Sequence, residues 1–236
     1  MAYSKLNALH WHLTDTASFP LETPSQPNMT RHGAYGPEEF YSVEDVRDIV
    51  AYATARGVRV IPELDVPAHT YAGWQWGPEA GLGDLVTCAS GWDQTELHPW
   101  AGRSLEPPSG QLNIANPHVH RILADVYADV VQSFGGPSMV HLGGDEVIVG
   151  NDGSFVACWN ATGSPVLQGV RDNMEGCCAG GRADKHSFYN LWVNFTHRAT
   201  RSLRAAYRAA NLTAPDKILQ WGGTGTGGEP AIYNMF

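Results

Sequence analysis

SVEDVRDIVAYATARGVRVIPELD, residues 42–65, changes hydrophobic period partway along, and that change decides the fold class. In its first half Val43, Val46, Ile49, Val50 and Ala53 recur at helical spacing, giving one apolar face. Ser42 is placed to cap that helix, and Asp45 sits where a reciprocal acid completes a capping box. Gly57 supplies the stop. From Val58 to Leu64 the run is short and rich in β-branched residues, which reads as a buried strand.

The same unit recurs on either side. A strand is expected around Leu6–His12, followed by a Pro-rich loop from Phe19 to Pro37. After residue 65 comes a long loop rich in Gly, Pro and Trp. Asn116 and Pro117 then open a helix whose apolar face is Val119, Ile122, Leu123, Val126 and Val130. Ser138–Gly144 is the next strand. A fourth unit places Phe188, Leu191, Trp192, Phe195 and Leu203 on a helix and Lys217–Trp221 on a strand. Repeated strand, loop, helix and strand means parallel strands with crossover helices, an α/β class. Long loops follow strands and short ones follow helices, so function is expected at the C-terminal ends of the strands, in a (β/α) barrel or an open doubly wound sheet. Four parallel strands alone leave two edges unpaired unless more chain or another copy covers them, so the chain reads as one domain and as a fragment.

Composition narrows the partners. The formal charge of −9, with 15 Lys and Arg scattered over 236 residues, offers no basic patch for nucleic acid or an anionic membrane. A run of about 18 apolar residues that could span a bilayer is lacking. Sequons at Asn28, Asn160, Asn194 and Asn211, with cysteines at 88, 158, 177 and 178, point to the secretory pathway, lysosomal, vacuolar or extracellular. The first residues lack the order of a signal peptide, so its address is expected upstream of Met1.

Chemistry gathers on one rim: His10, His12 and Asp15; Glu63, Asp65 and His69; Asp145 and Glu146; and Trp221. Asp145 and Glu146 would face opposite ways in a regular strand, but Gly143 and Gly144 are free to twist the chain so that both reach one cavity. Two carboxyls held close in a partly apolar pocket cannot ionise equally, which separates a proton donor from an anion. Paired acids among tryptophans and tyrosines point to glycoside hydrolysis. The alternative at this point is zinc held by His10, His12, His69 and Asp145 in a metal-dependent barrel hydrolase.

LNALHWHLTDTASFPLE (6–22), GVRVIPELDVPAHTYAGW (57–74), EPPSGQLN (106–113) and HLGGDEV (141–147), in that order, resemble the catalytic barrel of the family-20 β-N-acetylhexosaminidases, of the eukaryotic lysosomal and insect type. The likeness runs over most of residues 1–221 and corresponds to strands two to five of that family's eight-stranded TIM barrel. It implies hydrolysis of terminal N-acetylglucosamine or N-acetylgalactosamine from glycans or chitooligosaccharides, with retention, no cofactor and no metal. The substrate's own 2-acetamido oxygen would be the nucleophile, an exception to the two-carboxylate rule. By position Glu146 would be the acid and base, Asp145 would hold the acetamido N–H, and His69 and Asp15 would orient Glu146.

The resemblance also assigns Trp221 to the wall of the sugar pocket, and Trp100 and Glu106 to contacts beyond the cleaved bond. It pairs Cys88 with Cys158, while Ser104 and Ser109 stand where insect-type members carry cysteines. Extra residues, among them GNDGSF (150–155), lengthen the stretch between Glu146 and Cys158. The family's strand-one arginine would precede Met1, and residues of strands six to eight would follow Phe236. The isolated chain is therefore expected to be weakly active or inactive, with a non-catalytic carbohydrate-binding remnant as the second reading. A homodimer is compatible with the resemblance.

Overall fold

The computed structural model describes residues 1–90, 108–147, 158–160, 163–173, 185–215 and 217–221. Its main sheet has four parallel strands, β1 (Ala8–Thr14), β2 (Arg59–Leu64), β5 (Val140–His141) and β6 (Ile218–Leu219), in the order β1-β2-β5-β6. An antiparallel pair, β3 (Val86–Ser90) with β4 (Ser109–Leu112), lies in the connection after β2. The helices are α1 (Pro27–Gly33), α2 (Val43–Thr54), α3 (Pro117–Ser133), α4 (Pro165–Asn173) and α5 (Lys185–Ala209).

Spatial order equals chain order in the main sheet. Each new strand is laid on the same side of the last, whereas a doubly wound sheet reverses direction at a switch point. Of the two architectures open to the sequence, the sheet is therefore the barrel type. Register sets what faces the interior: His12 pairs with Glu63, and Glu63 with His141. These three side chains leave neighbouring strands at one level.

The helices form as their caps and stripes dictate. Ser42 accepts from the Asp45 N–H, and the Asp45 carboxylate accepts from the Ser42 N–H at 2.9 Å, the full capping box. Asn116 accepts from the His118 N–H at 2.9 Å with Pro117 in the first turn of α3. Val119, Ile122, Leu123, Val126, Tyr127, Val130 and Val131 of α3 are all buried. Each such aliphatic side chain contributes roughly 1.5–3 kcal/mol relative to exposure. Helix α5 packs beside α3, with its Phe195 ring 5.6 Å from that of His120; its Phe188, Leu203 and Tyr207 are also buried, and the Tyr207 hydroxyl donates to the Pro137 carbonyl.

Several expectations are corrected. Residues 27–33, expected as loop, form α1, because Pro27 pre-sets the first turn and the Thr30 hydroxyl ties the helix to the Leu21 carbonyl at 2.6 Å. Strand β1 starts two residues later than expected and runs on to Thr14. Strand β5 is short because Gly143 and Gly144 take φ of 64° and 91° directly beyond it. The long connection after β2 contains the β3–β4 pair, and α4 lies in the connection between β5 and α5.

Candidate active site

The turn after β5 answers the question raised by adjacent carboxylates. Left-handed backbone at Gly143 and Gly144, continued at Glu146 (φ 55°), breaks the strand alternation. The turn is held from both sides: the Gly144 N–H donates to Asp65 Oδ1 at 2.9 Å, and the Gly143 carbonyl accepts from the Trp221 N–H at 2.9 Å. Both acids thereby reach one imidazole. His69 Nε2 lies 3.4 Å from Glu146 Oε2 and 3.9 Å from Asp145 Oδ2. Its Nδ1 lies 3.4 Å from Asp15 Oδ1. His69, like Glu146, is left-handed (φ 51°), a conformation that costs energy for a side chain with a Cβ and is concentrated at functional sites.

Asp15 has a second imidazole. His12 Nε2 lies 3.2 Å from Asp15 Oδ2, and His12 Nδ1 lies 3.5 Å from Glu63 Oε2. Glu63 is 1% exposed and is the hub of the barrel interior. Its Oε2 is 2.5 Å from His10 Nε2, and its Oε1 accepts from the Trp221 indole N–H at 2.8 Å. His141 Nδ1 is 3.2 Å from that Oε1 and also 2.9 Å from the Gly143 N–H, so where the ring carries its proton decides which bond is made.

Protonation follows from these contacts. Burial opposes charge on Asp15, but hydrogen bonds from His12 and His69 outweigh it and hold the carboxyl well below the usual range. Glu63 behaves likewise, with burial outweighed by His12 and His141. Asp15, then Glu63, push the His12 imidazole up to about 10. Burial pulls His69 down, but Asp15 with Asp65 and Asp145 outweighs it and raises it to about 9. Asp65 goes the other way: burial, with the neighbouring charges of Asp145 and Glu63, exceeds the help from His69 and the Gly144 N–H and pushes it up to about 8. At neutral pH Glu63, His12, Asp15 and His69 therefore alternate anion and cation, with a largely protonated Asp65 beneath the glycine turn.

The structure thus brings Glu146, Asp145, His69 and Asp15 together. Trp221 joins them through Glu63 and stacks near His141 and His10, with ring centroids 4.6 Å and 5.6 Å away, while 43% of it stays exposed. Trp100, Glu106, Ser104, Cys177, Cys178 and the stretch 150–155 lie outside the described residues. Cys88 and Cys158 form a disulfide with Cα atoms 5.9 Å apart.

The four residues of the zinc alternative divide among different groupings, His10 with Glu63 and His141, His12 with Glu63 and Asp65, and His69 with Asp65 and Asp145. The first two groupings centre on Glu63, which the sequence places on the rim but to which the resemblance assigns no role. The signal for it was available: a lone carboxylate inside the apolar run VIPEL needs buried partners, and HWH places two imidazoles on one strand face.

A parallel barrel sheet carrying paired acids, a histidine and a tryptophan on its inner rim is the layout of a barrel glycosidase. The chain belongs to glycosyl hydrolase family 20, whose catalytic-domain model matches residues 1–206. It is 44% identical over 147 residues, 62% of its length, to the probable beta-hexosaminidase fdl of Drosophila melanogaster. It is 35% identical over 224 residues, 95% of its length, to the chitooligosaccharidolytic beta-N-acetylglucosaminidase of Ostrinia furnacalis. It spans 21% of the first relative and 32% of the second. Among solved structures, a family-20 exo beta-N-acetylglucosaminidase from Vibrio harveyi in complex with N-acetylglucosamine superposes with a TM-score of 0.64 at 28% identity, covering 94% of this chain and 31% of that one.

Proposed function

We propose that this segment carries the acid/base side of an exo-acting β-N-acetylhexosaminidase that releases terminal N-acetylhexosamine from glycans or chitooligosaccharides. In this reading the substrate's acetamido carbonyl oxygen attacks the anomeric carbon as the glycosidic C–O bond breaks. Glu146 gives its proton to the leaving oxygen, then takes one from the water that opens the oxazolinium intermediate, with net retention. Asp145 accepts the acetamido N–H and balances the positive charge that develops as the ring closes. His69, backed by Asp15, holds Glu146 in place.

The observation that carries the reading is at Asp145. Its side chain keeps 37% of its surface exposed with Oδ2 3.9 Å from His69, beyond hydrogen-bond range, which leaves acceptor capacity for an N–H donor. A substrate amide N–H is such a donor. No described helix is long and apolar enough to cross a membrane. The disulfide and the sequons support passage through the secretory pathway. Residues 1–236 are read as part of one barrel domain.

Binding of N-acetylglucosamine-thiazoline, a mimic of the oxazolinium ion, tests the site directly. Wild type should bind it and Asp145→Asn should weaken it by roughly tenfold or more, the effect of losing one charge-assisted bond. Equal affinity in both proteins would remove Asp145 from the acetamido subsite. Release of 4-methylumbelliferone from its N-acetylglucosaminide should be slow for this chain and abolished by Glu146→Gln.

A further inference from the structure

The reading above uses Glu146, Asp145, His69, Asp15 and Trp221, and leaves the buried carboxylate of Glu63 and the imidazole of His12 without a task. We propose that Glu63 is a positioning residue for the hydrolysis, aiming the Trp221 wall of the sugar pocket with one carboxylate oxygen and steadying the His12–Asp15–His69 chain behind Glu146 with the other. The inference rests on the hexosaminidase reading and deepens it.

The geometry runs without a gap among the described residues. Glu63 Oε1 takes the Trp221 indole N–H at 2.8 Å, which fixes one edge of a ring that also lies tilted against the His10 and His141 imidazoles. Glu63 Oε2 faces His12 Nδ1 at 3.5 Å, and the opposite nitrogen of His12 faces Asp15 at 3.2 Å. Asp15 in turn faces His69, and His69 faces Glu146. Strand register places Glu63 level with both His12 and His141, so one backbone rung presents all three.

A carboxylate that is 1% exposed, in a medium of low dielectric, is retained at a cost of several kcal/mol unless its partners make up for it. Here the partners are His10, His141, the Trp221 indole of the sugar wall and the His12 imidazole that shares Asp15 with His69. His12 sits between Asp15 and Glu63, with Asp65 also acting on it. By engaging one oxygen of Asp15, His12 stops that carboxylate from turning away from His69 and draws off part of its charge. Glu63 thus links two functions that lie on different strands, sugar orientation and proton transfer.

Glu63→Gln keeps the shape and removes the charge. Histidine titrations followed by NMR in the isotope-labelled 236-residue chain should show the His12 pKa falling by about 1–3 units, as expected when an anion within hydrogen-bond range is lost. The His69 titration should move with it, since His12 then loses charge beside Asp15 at a lower pH. Thiazoline affinity should fall by roughly tenfold and Trp221 emission should shift. A His12 titration that stays within about 0.3 units, or unchanged Trp221 emission and thiazoline affinity, overturns the proposal.

His12→Gln, at a half-exposed position, decides the matter if Glu63→Gln does not fold. It should raise the His69 pKa, because Asp15 then serves one imidazole and a neighbouring cation is gone. An unmoved His69 overturns the coupling. Failure of wild type to bind thiazoline would count against the hexosaminidase reading itself, while the histidine titrations would still decide whether Glu63 governs His12.

Discussion

Replacing Gly143 by Ala should be among the most damaging single-methyl changes in the chain. The residue has φ 64°, where a side chain with a Cβ costs about 1–2 kcal/mol. A methyl group there would also overlap the Asp65 carboxylate and Cα, which sit against the glycine. Relieving such an overlap in a packed interior costs about 1–3 kcal/mol. Moving Asp65 aside gives up the bond from the Gly144 N–H, about 0.5–1.5 kcal/mol for a carboxyl that is largely protonated at neutral pH.

The sum is roughly 3–6 kcal/mol, against a total stability of about 5–15 kcal/mol for a typical domain. Gly57 provides the control, since it has φ 69° and nothing within 4 Å of an added methyl. Gly57→Ala should therefore cost only the backbone part. In urea unfolding with a slope of about 2 kcal/mol/M, the two variants should differ in midpoint by about 1–2 M. Midpoints agreeing within about 0.3 M would refute the claim that Asp65 braces the glycine turn.

Other consequences are measurable with the same material. Cys88→Ser should lower stability by up to about 4 kcal/mol, the loop-closure value for a separation of 70 residues, and added reductant should then shift the midpoint less than it does in wild type. His12 and His69 have folded pKa values near 10 and 9 against 6.5 unfolded, so the stability they contribute is complete below pH 6.5 and is lost as pH rises through 9 to 10. The urea midpoint should fall over that window, and fall less in His12→Gln. Asp65, raised from 3.8 to about 8, contributes stability that is full below pH 3.8 and lost on rising through pH 8. Asp65→Asn should be insensitive to that change, so its stability relative to wild type should rise between pH 4 and 8. A difference that stays flat would mean that Asp65 ionises normally.

The strand and helix repeats were legible because their signals are local. The capping box at Ser42 and Asp45, the Asn116–Pro117 start of α3 and the β-branched run of β2 are all realised. Barrel was not separable from open sheet until strand order was seen, because topology depends on which neighbours pair rather than on any segment's own pattern. The turn at Gly143–Gly144 was legible as a device for turning two acids the same way, and His69 meets both. The part played by Glu63 was not, since its partners come from residues 10, 12, 141 and 221, and only register brings them to one level. Helix α1 escaped notice because seven residues are too few for a hydrophobic period to show.

The bond from Cys88 to Cys158 closes a covalent ring in which the end of β3, all of β4, α3 and β5, and Asp145 and Glu146 reside. A protease that cuts one peptide bond inside this ring opens the loop without releasing either piece. The nicked molecule would migrate as a single species on a denaturing gel and separate into two only after reduction, so the two candidate catalytic carboxylates stay tethered to the part of the chain that supplies His69.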